Sequence, residues 1–353
     1  MSDAPPESIL VRGPNWAGDL VMSTPGFRAL RRAHPEARIV LHLQRGLESL
    51  LDGSPWFDAV VAFDSRARPR TLGLLRAARR VAREHGPFDL GICIPDSFSS
   101  AWVMRAAGAR RVVGYARGGR GWLLHRAIPP DPAWGRRRLV ARERFVLGLL
   151  EAAGVVAPGG SDTTLELHTT AEEEARADAL LGREAGAPVV AVAPGASYGS
   201  AKCWPAESFA RVGDAAAAAG ARVVLLGSAG ESGITRAVAS AMKAGACDLA
   251  GRADLGAAKA VLRRAAVLVA NDAGARHIAV AFGVPSVVLF GPTSVAKTDL
   301  NLDTVSVLET RADCRPCYRR ECPIDHRCMT GIDPERVVAA TLQALGRDPG
   351  RAT

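Results

Sequence analysis

Aromatic residues make up only 5% of this 353-residue chain. That scarcity argues against the stacking platforms with which proteins usually grip single-stranded nucleic acid. No apolar run approaches the roughly 18 residues that span a bilayer. The opening "MSDAPPES" lacks the basic and apolar regions of a secretory leader, so a cytoplasmic protein is expected. A Walker loop is absent, and no G-x-G-x-x-G follows the first apolar run. Nucleotide binding, if present, must use another arrangement.

What the chain does hold is 48% hydrophobic residues with abundant Ala, Gly and Val, which suits helices packed closely on a parallel sheet. Its length exceeds the roughly 250 to 300 residues at which single cores stop growing, so two domains are expected. Strand-like runs "SILVRG", "ARIVLHL", "DAVVAF" and "DLGICIP" alternate with helical stretches such as 71 to 85 and 97 to 107. Around residues 158 to 187 the composition turns acidic, helix-prone and Gly/Pro-flanked. The alternation then restarts with "PVVAVAPG", "ARVVLLGS", "AVLVAN" and "VPSVVLFG". The expected architecture is α/β, with two doubly wound parallel-sheet domains over residues 1–172 and 173–353. Ligands in such sheets bind beyond the carboxyl ends of the strands.

The formal net charge is +9, with only four lysines among 45 basic residues. Residues 105 to 144 hold eleven arginines against Asp131 and Glu143, so this one segment carries the whole excess. Arginine's planar fork grips phosphate and carboxylate bidentately. Two readings stand: an anionic partner meets this segment, or the chain uses Arg wherever it needs solubility.

Three loops carry candidate chemistry. In "GPNWAGDL", residues 13 to 20, Asp19 stands between an apolar run and a helix, where a carboxylate either caps the helix or acts on a ligand. In "APGASYGSAKCWPAESFA", two glycines, Ser197, Tyr198 and Ser200 precede Lys202. Pro205 reads as a first helical residue, which puts the ammonium near a helix N-terminus suited to phosphate. In "VANDAGARHIAVAFGVP", Asp272 follows a strand and Gly274 opens the next helix, where free N–H groups favour an anion. The plainer alternatives are that Asp272 caps this helix and His277 is a buried core histidine.

Taken together, "GPNWAGDLVMSTP", "IPDSFSSAWVMRAAGARRVVGYARGGRGWLL", "PGASYGSAKCWP", "LLGSAGE", "DLAGRADL" and "NDAGARHIAVAFGVPSVVLFGP" resemble the lipopolysaccharide heptosyltransferases of glycosyltransferase family 9. The likeness is strongest to the branch that adds the second heptose. It implies a GT-B fold of two Rossmann-like domains across a cleft, with the C-terminal helix packing back on the first. It also implies inverting transfer of L-glycero-D-manno-heptose from ADP-heptose to a lipopolysaccharide inner core (lipid A–Kdo–heptose).

Under this resemblance Asp19 is the base and Lys202 steadies the departing pyrophosphate. Ser197, Tyr198, Glu231, Asp272, Gly274 and His277 belong to the donor site. Asn15, Asp96, Ser97, Arg110, Arg111, Arg117 and Arg120 belong to the acceptor site. Ala273 stands where relatives more often carry Ser or Thr. No D-x-D occurs, so the chemistry is expected to need no catalytic cation. The expected protein is a monomer that visits the cytoplasmic face of the inner membrane and binds no nucleic acid. An epimerase of the same fold and a nucleic-acid binder are the competing classes.

Four of the seven cysteines lie in "CRPCYRRECPIDHRC": Cys314, Cys317, Cys322 and Cys328. Four thiolates can close on a structural zinc, two can form a redox-sensitive disulfide, or the loop can stay unmetallated. Cys93, Cys203 and Cys247 read as small, partly buried side chains.

Overall fold

A computed structural model of the chain describes residues 5–64, 70–135, 139–159, 162–182 and 186–346. It divides into two units, with the division between His168 and Thr169. This falls just ahead of the expected boundary after 172, because Thr170 begins the first helix of the second unit. The Thr170 hydroxyl accepts from Glu173 N while the Glu173 carboxylate accepts from Thr170 N.

The first unit runs β1 (Ser8–Arg12), α1 (Ala17–Val21), α2 (Thr24–Ala33), β2 (Arg38–Gln44), β3 (Ala59–Phe63), α3 (Arg70–His85) and β4 (Leu90–Cys93). It continues with α4 (Phe98–Ala106), β5 (Arg111–Tyr115), β6 (Arg126–Ile128) and α5 (Arg142–Ala152). All its strands pair in parallel, in the order β3-β2-β1-β4-β5-β6. Strand β1 is buried along its whole length, as a parallel strand covered by helices on both faces must be. Its Leu10 lies between Val40 of β2 and Gly91 of β4.

The second unit runs α6 (Ala171–Leu181), β7 (Val189–Ala193), α7 (Ala206–Ala218), β8 (Arg222–Leu225), α8 (Ser232–Ala241), β9 (Cys247–Asp248) and α9 (Leu255–Arg264). Then follow β10 (Val267–Asn271), α10 (Gly274–Ala281), β11 (Ser286–Phe290), β12 (Val305–Glu309), α11 (Arg327–Thr330) and α12 (Pro334–Ala344). Its parallel sheet has the order β12-β11-β10-β7-β8-β9. Within the second unit, the C-terminal helix α12 packs on α7. Val337 is fully buried and joins the core of the second unit with Phe209 and Val212 of α7, so α12 packs there.

In each sheet the winding reverses once, between β1 and β4 and between β7 and β10. At such a switch point the loops leaving neighbouring strands diverge to opposite faces and open a crevice beyond the carboxyl ends. The candidate loops are the ones that leave these four strands.

Candidate active site

In the first unit, the loop after β1 is tied down by Arg12. Its Nη1 donates to Gly13 O (2.6 Å) and His42 O (3.1 Å), and its Nη2 donates to Asn15 Oδ1 (2.6 Å). Gly13 permits this path, since a Cβ there would stand 2.4 Å from Leu43 Cδ2. Asp19 follows in the first turn of α1, half-exposed. The residue before that helix, Trp16, makes no side-chain cap, and the Asp19 carboxylate has no hydrogen bond or ion pair to another described residue. It makes no capping hydrogen bond, and its place in the first turn puts its charge where the helix dipole favours it.

Beyond β4, Ser97 caps α4 by accepting from Ser100 N, and Asp96 faces Arg117 at 3.7 Å. Three of the expected anion clamps fall elsewhere. Arg120 is fully buried and donates through Nε to Tyr115 O and through Nη1 to Pro95 O, Ser97 O and Ser100 Oγ, so it braces the loop from within, while its Nη2 has no hydrogen-bond partner. Arg110 and Arg111 lie at the start of β5, where Arg110 meets Asp89 just ahead of β4. Strand β5 carries the chain from them to the carboxyl end of the sheet, at about 3.3 Å per residue, so they occupy the edge opposite Asp96. Arg136, Arg137 and Arg138 of the basic segment lie outside the described residues.

In the second unit, the loops after β7 and β10 meet through a buried charge cluster. Lys202 Nζ donates to Asp272 Oδ2 (2.7 Å) and to Asp272 O (2.6 Å), with side chains only 13% and 10% exposed. Two further residues hold the same carboxylate: Thr293 Oγ1 donates to Oδ2 (2.8 Å) and Arg276 Nη1 to Oδ1 (3.3 Å). Burial alone would raise the Asp272 pKa, but Lys202 and then Arg276 hold it below the usual carboxylate value. Asp272 is thus ionised and is not a helix cap, because the residue preceding α10 is Ala273.

Asn271, at the end of β10, fixes both flanks of the Lys202 loop: its Nδ2 donates to Pro194 O (2.7 Å) and its Oδ1 accepts from Trp204 N (3.2 Å). Trp204 itself is buried against Phe209. Pro205 precedes α7 as its cap residue, one position earlier than expected, and Lys202 sits in a short 3-10 turn, Ser200–Lys202, ahead of it.

The other donor-side residues take distinct positions. Gly274 is the first residue of α10, and Ala273 supplies no side-chain cap, so the helix N-terminus keeps its backbone donors unclaimed by a side-chain cap. His277 is buried one turn on. Burial, with Arg276 and Lys202 outweighing the opposing pull of Asp272, pushes it down to about 3 and leaves a neutral imidazole. Tyr198 turns from the loop to donate to Tyr318 O (2.6 Å), while Ser197 is exposed. Glu231 accepts from Ser228 N and Oγ, and its Oε1 lies where a Cβ on Gly195 would come within 2.5 Å. The residues that the sequence did not single out are Arg276, Thr293 and the clip formed by Asn271. An Arg four residues after Asp272 was the available signal for the first of these.

The family model for glycosyltransferase family 9 (heptosyltransferase) matches residues 75–327. The chain belongs to glycosyltransferase family 9. Among its relatives, the Salmonella typhimurium lipopolysaccharide heptosyltransferase 2 is 30% identical over 81% of this chain and 83% of its own. The Haemophilus ducreyi lipooligosaccharide heptosyltransferase 2 is 27% identical over 96% of this chain and 99% of its own, which includes the family-9 segment and the stretch before it. The solved Escherichia coli ADP-heptose lipopolysaccharide heptosyltransferase II superposes with a TM-score of 0.80 at 23% identity, over 96% of this chain and 98% of that one. The two six-stranded parallel sheets with flanking helices are those of the GT-B fold.

Proposed function

We propose that this family-9 protein moves heptose from ADP-heptose to a lipopolysaccharide inner core that already carries one heptose, inverting the anomeric centre. The observation that carries the donor half is the Lys202–Asp272 cluster beside the uncapped α10, at the switch point of the second sheet. An ammonium fixed by two short hydrogen bonds and a helix N-terminus together suit a pyrophosphate that gains charge as it leaves.

Asp19 supports the acceptor half. It is a carboxylate with no partner among the described residues, in the first turn of the helix that follows β1, at the switch point of the first sheet. In this reading Asp19 takes the proton of the acceptor hydroxyl as that oxygen bonds to the anomeric carbon. The bond from that carbon to ADP breaks, and its electron pair leaves with the pyrophosphate, facing Lys202 and the α10 N–H groups. Lys202 supplies the positive charge, so the transfer proceeds without a catalytic divalent cation, and added magnesium leaves the rate unchanged. Asp272, engaged through both oxygens, acts first by orienting Lys202.

The enzyme works as a monomer at the cytoplasmic face of the inner membrane, which it reaches from water. No helix among the described residues is long and apolar enough to cross a bilayer. Basic side chains that reach an anionic surface would each contribute about 1 kcal/mol.

The test is ADP release from ADP-heptose, with and without a heptosylated lipid-core acceptor, in the native protein and in Asp19→Asn. Release that depends on the acceptor and falls by about 10² to 10⁴ in the variant, with donor binding retained, is the expected result. Full activity of the variant would remove Asp19 from the mechanism. Release without acceptor would replace the transferase by a hydrolase or epimerase.

A further inference from the structure

The segment that carries Cys314, Cys317, Cys322 and Cys328 takes no part in the chemistry described so far. All four are free thiols, and among the described residues no three His, Cys, Asp or Glu side chains stand together as metal ligands, so the zinc alternative for this segment does not fit the fold. What the segment brings to the site is a different side chain, that of Arg320.

Two contacts clip this segment to the loop that carries Lys202. Arg320 O accepts from Ala201 N (2.9 Å), and Tyr318 O accepts from Tyr198 Oη (2.6 Å). Gly199, at φ 153°, lets the two backbones meet, because a Cβ there would collide with Arg320 O. The segment is also held by Tyr318 N, which donates to Pro292 O (2.9 Å), one residue before Thr293 of the charge cluster. Arg320 is thereby fixed beside the Lys202 loop, with its side chain exposed.

The Tyr198 ring is where the two cations come together. Lys202 Nζ lies 5.4 Å from the ring centroid, and the Arg320 guanidinium carbon lies 5.6 Å from it. Both distances are within the range at which the negative face of a ring attracts a cation. The bond from the Tyr198 hydroxyl to Tyr318 O locks the ring, so the guanidinium rests on a fixed surface.

Arg320 makes no side-chain hydrogen bond or ion pair with another described residue. Its neighbours are occupied elsewhere: Glu321 lines a polar pocket with Ser200 and His326, and Arg319 lines the cysteine cavity. A planar guanidinium whose donors are open is well shaped for phosphate oxygens. The charge count points the same way. Lys202, Arg276 and Asp272 together leave a single net positive charge. Each phosphate of a nucleoside diphosphate sugar carries one negative charge, and the terminal phosphate gains more when the sugar bond breaks. Arg320 supplies the second positive charge that this ligand calls for.

We propose that Arg320 binds the pyrophosphate of the nucleotide sugar as a second cation beside Lys202, with the Tyr198 ring holding both in place. As the bond from the anomeric carbon to the diphosphate oxygen breaks and its electron pair leaves with ADP, the guanidinium donates to the oxygens that gain charge. This role rests on the reading of the second unit as the donor site.

The test is calorimetric titration of full-length protein with ADP, in native, Arg320→Gln, Arg320→Lys and Arg319→Gln forms, with hydrogen exchange over residues 196–203 measured on the same samples. The Kd for ADP should rise about tenfold or more in Arg320→Gln, recover in part in Arg320→Lys, and stay within about twofold of native in Arg319→Gln. Acceptor-dependent ADP release at saturating donor should slow about tenfold or more in Arg320→Gln. Exchange at 196–203 should not change, because the clip uses the backbone of Arg320 and not its side chain. An ADP Kd in Arg320→Gln within about twofold of native overturns the proposal and leaves the donor reading intact. An equal loss in Arg319→Gln would reduce the effect to surface charge, and quickened exchange in Arg320→Gln would reduce it to loop support; either overturns the proposal. If the native protein binds no ADP, the donor reading itself falls and inorganic pyrophosphate decides: binding that Arg320→Gln weakens about tenfold keeps the anion site, and no binding overturns it.

Discussion

Acidification from pH 7 to pH 5 should weaken the first unit chiefly through His42, the buried one of two histidines there whose pKa is lowered; desolvation and then Arg105 lower that of the exposed His125 in the same direction. His42, in the middle of β2, is fully buried, and neither ring nitrogen has a hydrogen-bond partner. Its ring packs against Phe63 at 4.8 Å. Burial, reinforced by the Arg12 guanidinium, pushes its pKa from 6.5 down to about 3. The folded value is depressed, so the unfolded chain takes up a proton that the native state refuses. Stability is complete well above pH 6.5 and falls as pH drops through it, at about 1.4 kcal/mol per unit, until the folded group titrates near 3.

Between pH 7 and pH 5 the loss is about 2 kcal/mol, and it is insensitive to the folded value as long as that value stays below about 4. Asp58 and Asp162, held below the usual carboxylate range, contribute stability that is present above their unfolded values and lost only at lower pH, outside this window. Hydrogen exchange of amides in residues 38–44, corrected for intrinsic rates, reads the opening free energy of this strand. His42→Leu, which fills the site without a titrating group, should show about 2 kcal/mol less pH dependence than the native protein. Equal pH dependence in the two proteins would refute the reasoning.

Two further outcomes follow from the second unit. Lys202→Met should leave Asp272 held by Arg276 and Thr293, so the fold survives while the rate of ADP release falls by about 10² to 10³. A rate within threefold of native would show that the ammonium does not face the leaving group. Lys259 and Glu173 form a pair 3.0 Å apart with essentially no exposure. Lys259→Met should cost about 3 to 5 kcal/mol in urea unfolding by stranding the carboxylate, and adding Glu173→Leu should recover most of that loss.

The strands that line the switch points were legible because each is a continuous apolar run, as burial on both faces demands. Strand β5 was not, since "RVVGY" begins inside the arginine-rich segment and its charge drew the eye to a partner. Strands β6, β9 and β12 are short or peripheral, with few buried residues to mark them. The loops that carry the site were picked out by glycine, lysine and acid placed after strands. Their convergence was not, for Lys202 and Asp272 are 70 residues apart and meet only because β7 and β10 are neighbours. The burial of Arg120 was hidden for a related reason: composition cannot separate a guanidinium that faces water from one whose Nε and Nη1 donate to buried carbonyls and a hydroxyl.

That same guanidinium has a bearing on inhibitor design. By tying four groups from Pro95 to Tyr115 together, Arg120 orders the loop of Asp96 and Ser97 before any ligand arrives. Freezing a loop otherwise takes about 1 to 2 kcal/mol per residue from the binding energy. A compound aimed at this loop meets a surface already set, so a rigid scaffold matched to its shape should outperform a flexible one of equal contact area, with the gain appearing as a less unfavourable binding entropy in calorimetry.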